Sequence, residues 1–315
     1  IGHGPFSHAW EQAFPGFDHE NWGQRLVTED PELRGALEQL SPDLPLVLVT
    51  FWDKTYRPTF ARKLVSSQLD CDRLDYLLRD SHSTGMTYGH LDLERLLAAL
   101  TLAPDGSLAL HPKGLMAVEH YLVVRNLMYR SVYNHRLNVV CNWLLRQVIS
   151  QARRLGPQRV WADPVMACWL WQQQELDLAT YLANDDIRTG YHLMRWLEEG
   201  PPELAEPCRR LLERRLLKAT DVSHLAAGER LELLARARRL AEEHGLVAET
   251  CCGLQQRQSR GYHAYKGGLR LWDGRHLEAL EQRSALVQSL AHPVEMAWLI
   301  HPAEVAPKLR RMING

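Results

Sequence analysis

The first twenty residues concentrate side chains that can move protons. His3, His8 and His19 lie there with Glu11, although the whole chain of 315 residues has only 15 histidines. Glycines flank His3 on both sides, so a ligand can approach its ring closely. If residues 6–13 form a helix, His8 and Glu11 share one face, where a carboxylate can fix the tautomer of an imidazole and raise its basicity. We interpret this segment as a candidate acid-base site; a group of surface histidines is the alternative.

A second segment, residues 66–82, combines acids with a tyrosine and arginines. In a helix, Asp72, Tyr76 and Asp80 recur every four residues and therefore lie along one face. Such a row suits a hard cation and a hydroxylated substrate. Arg73 lies beside it and adds a positive charge. The alternative interpretation is a solvated face of mixed charge.

A third segment, residues 125–136, carries cationic and aromatic groups at helical spacing. Spacings of four, four and three residues separate Arg125, Tyr129, Tyr133 and Arg136. A guanidinium offers a planar fork to phosphate oxygens, and a tyrosine ring can stack on a sugar or a base. This face therefore predicts a nucleotide contact; aromatic core packing with extended arginines is the alternative.

Helical periodicity dominates the elements that must position these groups, and it predicts a mainly α fold. Apolar residues recur at i, i+3, i+4 and i+7 in several segments, namely 91–100, 116–149, 205–217 and 229–244. The stretch 113–150 is long for one globular helix, so we expect a kink or a central helix on which others pack. Shorter mixed segments after residue 220 indicate a small α+β lobe, and we divide the chain into domains 1–220 and 221–315.

Composition excludes several classes of protein. The chain has 37 Lys plus Arg against 38 Asp plus Glu, so it lacks the basic field on which general nucleic-acid binding depends. Its longest apolar stretch, residues 44–51, is far shorter than the roughly 20 residues of a membrane-spanning helix. The six cysteines form no C-x-x-C pair, and no signal-peptide pattern opens the chain. We expect a cytoplasmic protein with reduced thiols.

At these residues the chain resembles the HD-domain phosphohydrolases. The resemblance is to the branch that contains the bacterial deoxynucleoside triphosphate triphosphohydrolases and the animal SAM-and-HD-domain enzyme. It covers nearly the whole chain and is carried by residues 1–8 (IGHGPFSH), His19-Glu20, 66–85, 125–136 and the tail 265–274 (YKGGLRLWDG). It implies an HD-domain helical bundle with a small α+β C-terminal lobe.

The resemblance also implies a divalent metal ion, which is Mg, Mn, Fe, Ni or Zn. In that family an upstream histidine, a consecutive His-Asp dyad and a distant aspartate bind the metal. Asp72 matches the distant aspartate, whereas the other three ligands would precede Ile1. We therefore expect that the sequence lacks the N-terminal part of the family's HD domain, and that the chain as it stands is inactive.

Roles for the matching residues follow from the same resemblance. His3, His8 and His19 match the histidines around the scissile phosphate, and Glu11 matches an acidic position that orients one of them. We expect His19 or His8 to be the acid, with His3 close to the α-phosphate. The expected contacts to triphosphate and deoxyribose are Arg73, Tyr76, Asp80, Arg125, Tyr133 and Asn134. Asn134 replaces a glutamine of the animal enzyme, which leaves the base preference open.

The implied reaction is metal-dependent hydrolysis of deoxynucleoside triphosphates to deoxynucleoside and triphosphate. One alternative is an HD-type phosphohydrolase that acts on a monophosphate or a signalling nucleotide. Another is a regulatory module that binds nucleotides without turnover. The expected partners are the nucleotide substrate, a nucleotide effector and further copies of the chain in a dimer or tetramer, with no membrane and no general nucleic-acid binding.

Overall fold

A computed structural model describes residues 1–14, 17–173, 176–264 and 268–314. The described residues form eighteen α-helices and seven short strands, which confirms the prediction of a mainly α fold. None of these helices combines the length and the apolar character needed to cross a membrane. Positions 265–267 of the tail motif lie outside the described residues.

The helices end and begin where capping residues and breakers occur. In chain order they are α1 (Ser7–Ala13), α2 (His19–Glu29), α3 (Pro31–Leu40), α4 (Leu44–Trp52), α5 (Thr59–Val65), α6 (Cys71–Thr84), α7 (Leu93–Ala99), α8 (Leu115–Met128), α9 (Arg136–Leu155), α10 (Pro164–Trp171), α11 (Leu178–Leu182), α12 (Asp186–Glu199), α13 (Pro202–Leu212), α14 (Ala227–Glu243), α15 (Ala248–Cys251), α16 (Leu280–Arg283), α17 (Ala285–Leu290) and α18 (Ala306–Asn314). The strands are β1 (Leu100–Leu102), β2 (Leu108–Leu110), β3 (Lys218–Asp221), β4 (Gly253–Ser259), β5 (Arg270–Trp272), β6 (Leu277–Ala279) and β7 (Val294–His301).

The chain divides into two compact units that are each assembled from separate segments. Unit 1 consists of residues 1–49, 136–256 and 297–315, and unit 2 consists of residues 50–135 and 257–296. The chain therefore passes between the units four times. These boundaries differ from the division into 1–220 and 221–315, which stays a prediction.

Unit 1 has an aromatic core beside its first helices. Trp10 of α1 is 1% exposed and meets the ring of Trp169 edge-on at 5.0 Å. Helix α9 contributes Leu145, Val148 and Ile149 to the same core. Because these residues follow the i, i+3, i+4 pattern, one face of α9 is apolar, as its sequence predicts. Burial of this face fixes α1 within unit 1.

A second core of unit 1 surrounds a small sheet. The strands lie in the order β3-β7-β4, and β3 pairs antiparallel with β7 so that Lys218 faces His301. Helix α14 packs on this core through Leu233, Ala237 and Leu240. The sheet supplies the α+β character that the sequence predicts for the C-terminal part.

Unit 2 is built around helices α6 and α8. The side chain of Asp70 caps α6 by accepting a hydrogen bond from the backbone N–H of Arg73 at 2.8 Å. Gly85 ends the helix in the left-handed conformation, with φ of 70°. The core contains Leu77 of α6 and Tyr121 of α8, and a four-stranded sheet in the order β1-β2-β5-β6 completes the unit.

The helical stretch 113–150 is interrupted rather than continuous. Helix α8 ends at Met128 and passes into a π-helical turn, Tyr129–Tyr133, whose widened ladder joins the N–H of Asn134 to the carbonyl of Tyr129 at 2.8 Å. Helix α9 then starts at Arg136. A π turn of this kind is frequent at functional sites because it changes the direction of the side chains that follow.

Candidate active site

Three histidines meet around one carboxylate in unit 1. The rings of His3 and His19 stack at 4.0 Å, and the ring of His8 stands edge-on to both, at 5.3 and 5.7 Å. Glu11 accepts hydrogen bonds from Nδ1 of His8 at 3.1 Å and from Nδ1 of His19, and its Oε1 also accepts the backbone N–H of His19 at 3.2 Å. The structure therefore brings together the four residues that the sequence singled out.

Close backbone packing holds this cluster in place. A Cβ atom on Gly2, which has φ of +89°, would lie 2.3 Å from the carbonyl oxygen of His19 and 2.6 Å from the backbone nitrogen of Gly23. Only glycine can bring the chain this close to α2. Tyr181 donates a hydrogen bond to the carbonyl of Gly2 at 2.5 Å, and the Nδ1 of His3 lies 2.7 Å from the hydroxyl of Ser7.

The surroundings lower the pKa of both His3 and Glu11, which favours a neutral imidazole and an ionised carboxylate. Burial and the neighbouring imidazoles of His19 and His8 lower the pKa of His3, so that its ring is neutral at neutral pH. Partial burial acts to raise the pKa of Glu11, but the hydrogen bonds from His19 and His8 outweigh it and the pKa is lowered. A carboxylate that stays ionised can orient both imidazoles and stabilise their protonated forms.

Unit 2 contains an open cleft of about 480 Å³ with a cationic lining. Its walls come from α6, from the end of α8 with the π turn, and from the segment that includes the end of β4. The lining residues are Arg73, Arg125, Tyr129, Tyr133, Asn134, Arg257, Gln258, Ser259, Arg260 and His263. Among the described residues, four arginines and a histidine line it and no aspartate or glutamate does, which favours an anionic ligand.

Arg125 is the most informative of these cations. It is only 6% exposed, and its Nη1 has no hydrogen-bond partner among the described residues. Its guanidinium lies 5.7 Å from the ring centroid of Tyr129. A buried donor without a partner is costly, so an anion in the cleft would supply the missing acceptor. Arg73 forms an ion pair with Asp70, and its Nε is likewise buried without a hydrogen-bond partner among the described residues.

Two tyrosines of the cleft are fixed by neighbours on α6. The hydroxyl of Tyr133 donates to Asp80 at 2.7 Å, and the hydroxyls of Tyr129 and Tyr76 lie 3.0 Å apart. The ring of Tyr76 meets the ring of Tyr133 edge-on at 5.7 Å. Burial and the bond to Asp80 raise the pKa of Tyr133, which keeps the phenol protonated and its orientation set.

The remaining wall comes from residues 257–263, which the sequence predictions missed. Nη1 of Arg257 donates to Oδ1 of Asn134 at 2.9 Å. The amide of Gln68 holds the segment by donating to the carbonyl of His263 at 2.6 Å and accepting its N–H at 2.7 Å. The only local signal is the spacing of three between Arg257, Arg260 and His263.

Comparison with known proteins shows similarity to HD-domain proteins. Residues 91–159 match the family model described as "HD associated region". The chain is 25% identical over 164 residues to a deoxynucleoside triphosphate triphosphohydrolase SAMHD1 homolog of Dictyostelium discoideum, a match that covers 48% of this chain and 31% of that protein. The chain is thus similar to HD-domain proteins.

Further likenesses extend over most of the length of the chain. It is 28% identical over 300 residues to the uncharacterised protein YwfO of Bacillus subtilis, which covers 92% of this chain and 68% of that protein. A crystal structure of a phosphohydrolase from Bacteroides thetaiotaomicron shares its fold, with a TM-score of 0.80, 24% identity, and coverage of 95% of this chain and 76% of that one. The chain thus spans about two thirds of the Bacillus protein and under a third of the Dictyostelium protein.

HD-domain phosphohydrolases generally depend on a divalent metal ion, and the donors of this chain can be tested against that requirement. Asp72, which matches a family ligand, is exposed on α6 in unit 2. Among the described residues, the group of three donors close enough to hold an ion is His8, Glu11 and His19, whose ligand atoms lie within 4.8 Å of one another. The residues present therefore do not complete the family's ligand set around Asp72, and we assign no reaction step to a metal.

Proposed function

We propose that this protein is an HD-domain phosphohydrolase that hydrolyses deoxynucleoside triphosphates and releases deoxynucleoside and intact triphosphate. The observation that carries the proposal is the cationic cleft of unit 2, where Arg125 is buried with a nitrogen that lacks a partner. The triphosphohydrolase name of the Dictyostelium relative supports the same substrate class.

The lining of the cleft suits a triphosphate chain. Arginine forks bind phosphate oxygens through paired N–H groups, and arginines of the lining, above all Arg125, can offset part of the charge of such a chain. A bound anion would supply an acceptor to the buried nitrogen of Arg125, which has none among the described residues. This gain favours the bound state over the empty one.

Tyr133 supports selection for deoxyribose. Because Asp80 holds its hydroxyl at 2.7 Å, the ring cannot turn aside to admit a bulkier sugar. A ribose 2′-hydroxyl that meets this ring would clash or remain unpaired, and both outcomes weaken binding. Replacement of Tyr133 with alanine should therefore admit ribonucleotides, and unchanged discrimination would rule out this role.

The histidine cluster of unit 1 supports the proton transfer. In the proposed reaction a water oxygen forms a bond to the α-phosphorus, and the bond from that phosphorus to the 5′-oxygen breaks. The departing 5′-oxygen takes up a proton from a general acid, for which His8 and His19 are the candidates, and the proton that the water releases returns to that acid. Glu11 orients both imidazoles through its hydrogen bonds.

The test uses the protein extended to include the family's upstream metal ligands, and it separates the products formed from each deoxynucleoside triphosphate in the presence of Mg²⁺ or Mn²⁺. Deoxynucleoside with triphosphate supports the proposal, whereas orthophosphate or pyrophosphate contradicts it. His8→Ala and His19→Ala should be compared with His276→Ala, an exposed histidine that pairs with Asp273 and not with Glu11. We expect loss of about 10²- to 10⁴-fold in turnover at the true acid, and near-normal rates in both cluster variants would refute its assignment.

The expected homo-oligomer and nucleotide effector stay predictions. Sedimentation of the protein with and without deoxynucleoside triphosphates would test both.

A further inference from the structure

We propose that Asn134 and Arg257 read the nucleobase in the cleft of unit 2 and select bases that carry a carbonyl oxygen at purine position 6 or pyrimidine position 4. The selected bases are guanine, hypoxanthine, thymine and uracil; adenine and cytosine are disfavoured. This inference rests on the proposed function, since it requires that the cleft binds a nucleotide.

The partner of Asn134 fixes the orientation of its amide. Nη1 of Arg257 lies 2.9 Å from Oδ1 of Asn134. A guanidinium has N–H donors and no acceptor, so only the amide oxygen can face it. Asn134 is 9% exposed, and the reversed amide would place two donors against each other in a nearly buried position. The NH₂ group of Asn134 therefore lies on the side of the carboxamide that does not face Arg257.

The groups that this pair can present to a ligand are consequently donors. Asn134 and Arg257 both line the cleft. The amide oxygen already accepts a hydrogen bond from Arg257. The guanidinium nitrogens can donate hydrogen bonds but cannot accept them. Guanine offers O6 and N7 as acceptors and thymine offers O4, whereas adenine and cytosine carry NH₂ donors at the corresponding positions. A donor that meets a donor leaves both unpaired, which weakens binding.

The position of the pair suits the base rather than the phosphates. Arg125 has the buried nitrogen without a partner that a phosphate oxygen would satisfy. Arg257 instead donates a hydrogen bond to the neutral amide of Asn134. This bond orients the amide but neutralises no negative charge. Asn134 directly follows Tyr133, the residue that we assign to the sugar. Because the base is attached to the sugar, a side chain next to Tyr133 is within reach of it.

The first experiment compares nucleotide pairs of equal size. dITP and dATP differ at purine position 6 and the adjoining N1, and dUTP and dCTP differ at pyrimidine position 4 and the adjoining N3. We expect kcat/KM to be about tenfold or more higher for the carbonyl member of each pair, since an unpaired donor at a recognition site costs about a factor of ten or more. Ratios near one, or a preference for the amino member, overturn the proposal.

The second experiment changes the two residues. Arg257→Met removes the group that orients the amide, and Asn134→Asp replaces the NH₂ donor by an acceptor; each should bring both ratios close to one or below. Gln258→Met alters the same wall and should leave both ratios unchanged. Ratios that persist in Arg257→Met and Asn134→Asp, or that collapse in Gln258→Met, overturn the assignment. Thermal unfolding of each variant verifies that it is folded.

Equilibrium binding separates this inference from the proposed reaction. The four nucleotides are titrated as analogues in which a methylene group replaces the 5′-oxygen, the atom that departs in the proposed reaction, and binding is followed by calorimetry. If the dITP and dUTP analogues bind more tightly but no natural nucleotide is turned over, base recognition is supported and the proposed reaction is refuted. Turnover to triphosphate with equal binding of all four analogues overturns base reading alone.

Discussion

Gly89→Ala should disturb unit 2 through helix α6. Gly89 is buried at the end of a short turn, Thr87–Gly89, that lies against α6. A Cβ atom there would lie 2.2 Å from Cβ of Ser81, 2.6 Å from its Oγ and 2.7 Å from the carbonyl oxygen of Leu77. Carbon atoms in contact are separated by about 3.5 to 4.0 Å, so the turn and the helix must move apart by about 1.5 Å.

The magnitude follows from what the new methyl group meets. Cβ of Ser81 and the carbonyl of Leu77 are fixed to the backbone of α6 and cannot rotate away. Overpacking of this kind costs about 1 to 3 kcal/mol, and we expect a loss of about 3 kcal/mol in the free energy of unfolding. Gly85→Ala is the matched control, because Gly85 caps the same helix with φ of +70° but has open space around its Cβ. Its cost is the backbone strain alone, about 1 to 2 kcal/mol.

The same displacement should reach the candidate substrate contacts. Helix α6 also carries Arg73, Tyr76 and Asp80, and a shift of about 1 Å at such groups can reduce turnover about 10²-fold. The assays are urea unfolding followed by circular dichroism and kcat/KM with a deoxynucleoside triphosphate. If Gly89→Ala unfolds within about 0.5 kcal/mol of the unsubstituted protein, or is more stable than Gly85→Ala, the argument from close packing is wrong.

Three further changes test the two candidate sites and the cores. Glu11→Gln keeps the size of the side chain but removes the charge that orients the imidazoles, so we expect turnover to fall about 10- to 100-fold with little change in unfolding free energy; a normal rate would contradict this role. Arg125→Met should raise KM for the triphosphate about tenfold or more without lowering stability, because it removes a buried donor that has no partner; an unchanged KM would argue against phosphate binding there. Burial lowers the pKa of both His192 and His301 below the unfolded value of 6.5, so the unfolded chain takes up more protons between these pKa values and stability should fall as pH decreases below about 6.5. Urea unfolding at pH 7 and pH 5.5 checks this, His301→Gln should show a smaller decrease, and equal stability at both pH values would exclude it.

Local sequence patterns determined the class of fold and part of each candidate site. The mainly α character follows from periodicity, because each amphipathic helix carries its pattern within ten to twenty consecutive residues. The same applies to the row of Tyr76 and Asp80 on α6, whose members are four residues apart. The histidines of the first cluster are close in sequence, and one carboxylate joins them. In each case the information that sets the neighbours lies within a short stretch of chain.

Only the tertiary structure decided how distant segments combine. The pair of bonds between Gln68 and His263 spans 195 residues, and it brings the wall with Arg257 to the cleft. The length of the stretch 113–150 leaves a kink or a central helix open, and only the structure shows the interruption at the π turn after α8. Such features depend on packing between elements that are far apart in the chain, and the period of a single helix contains no information about its partners.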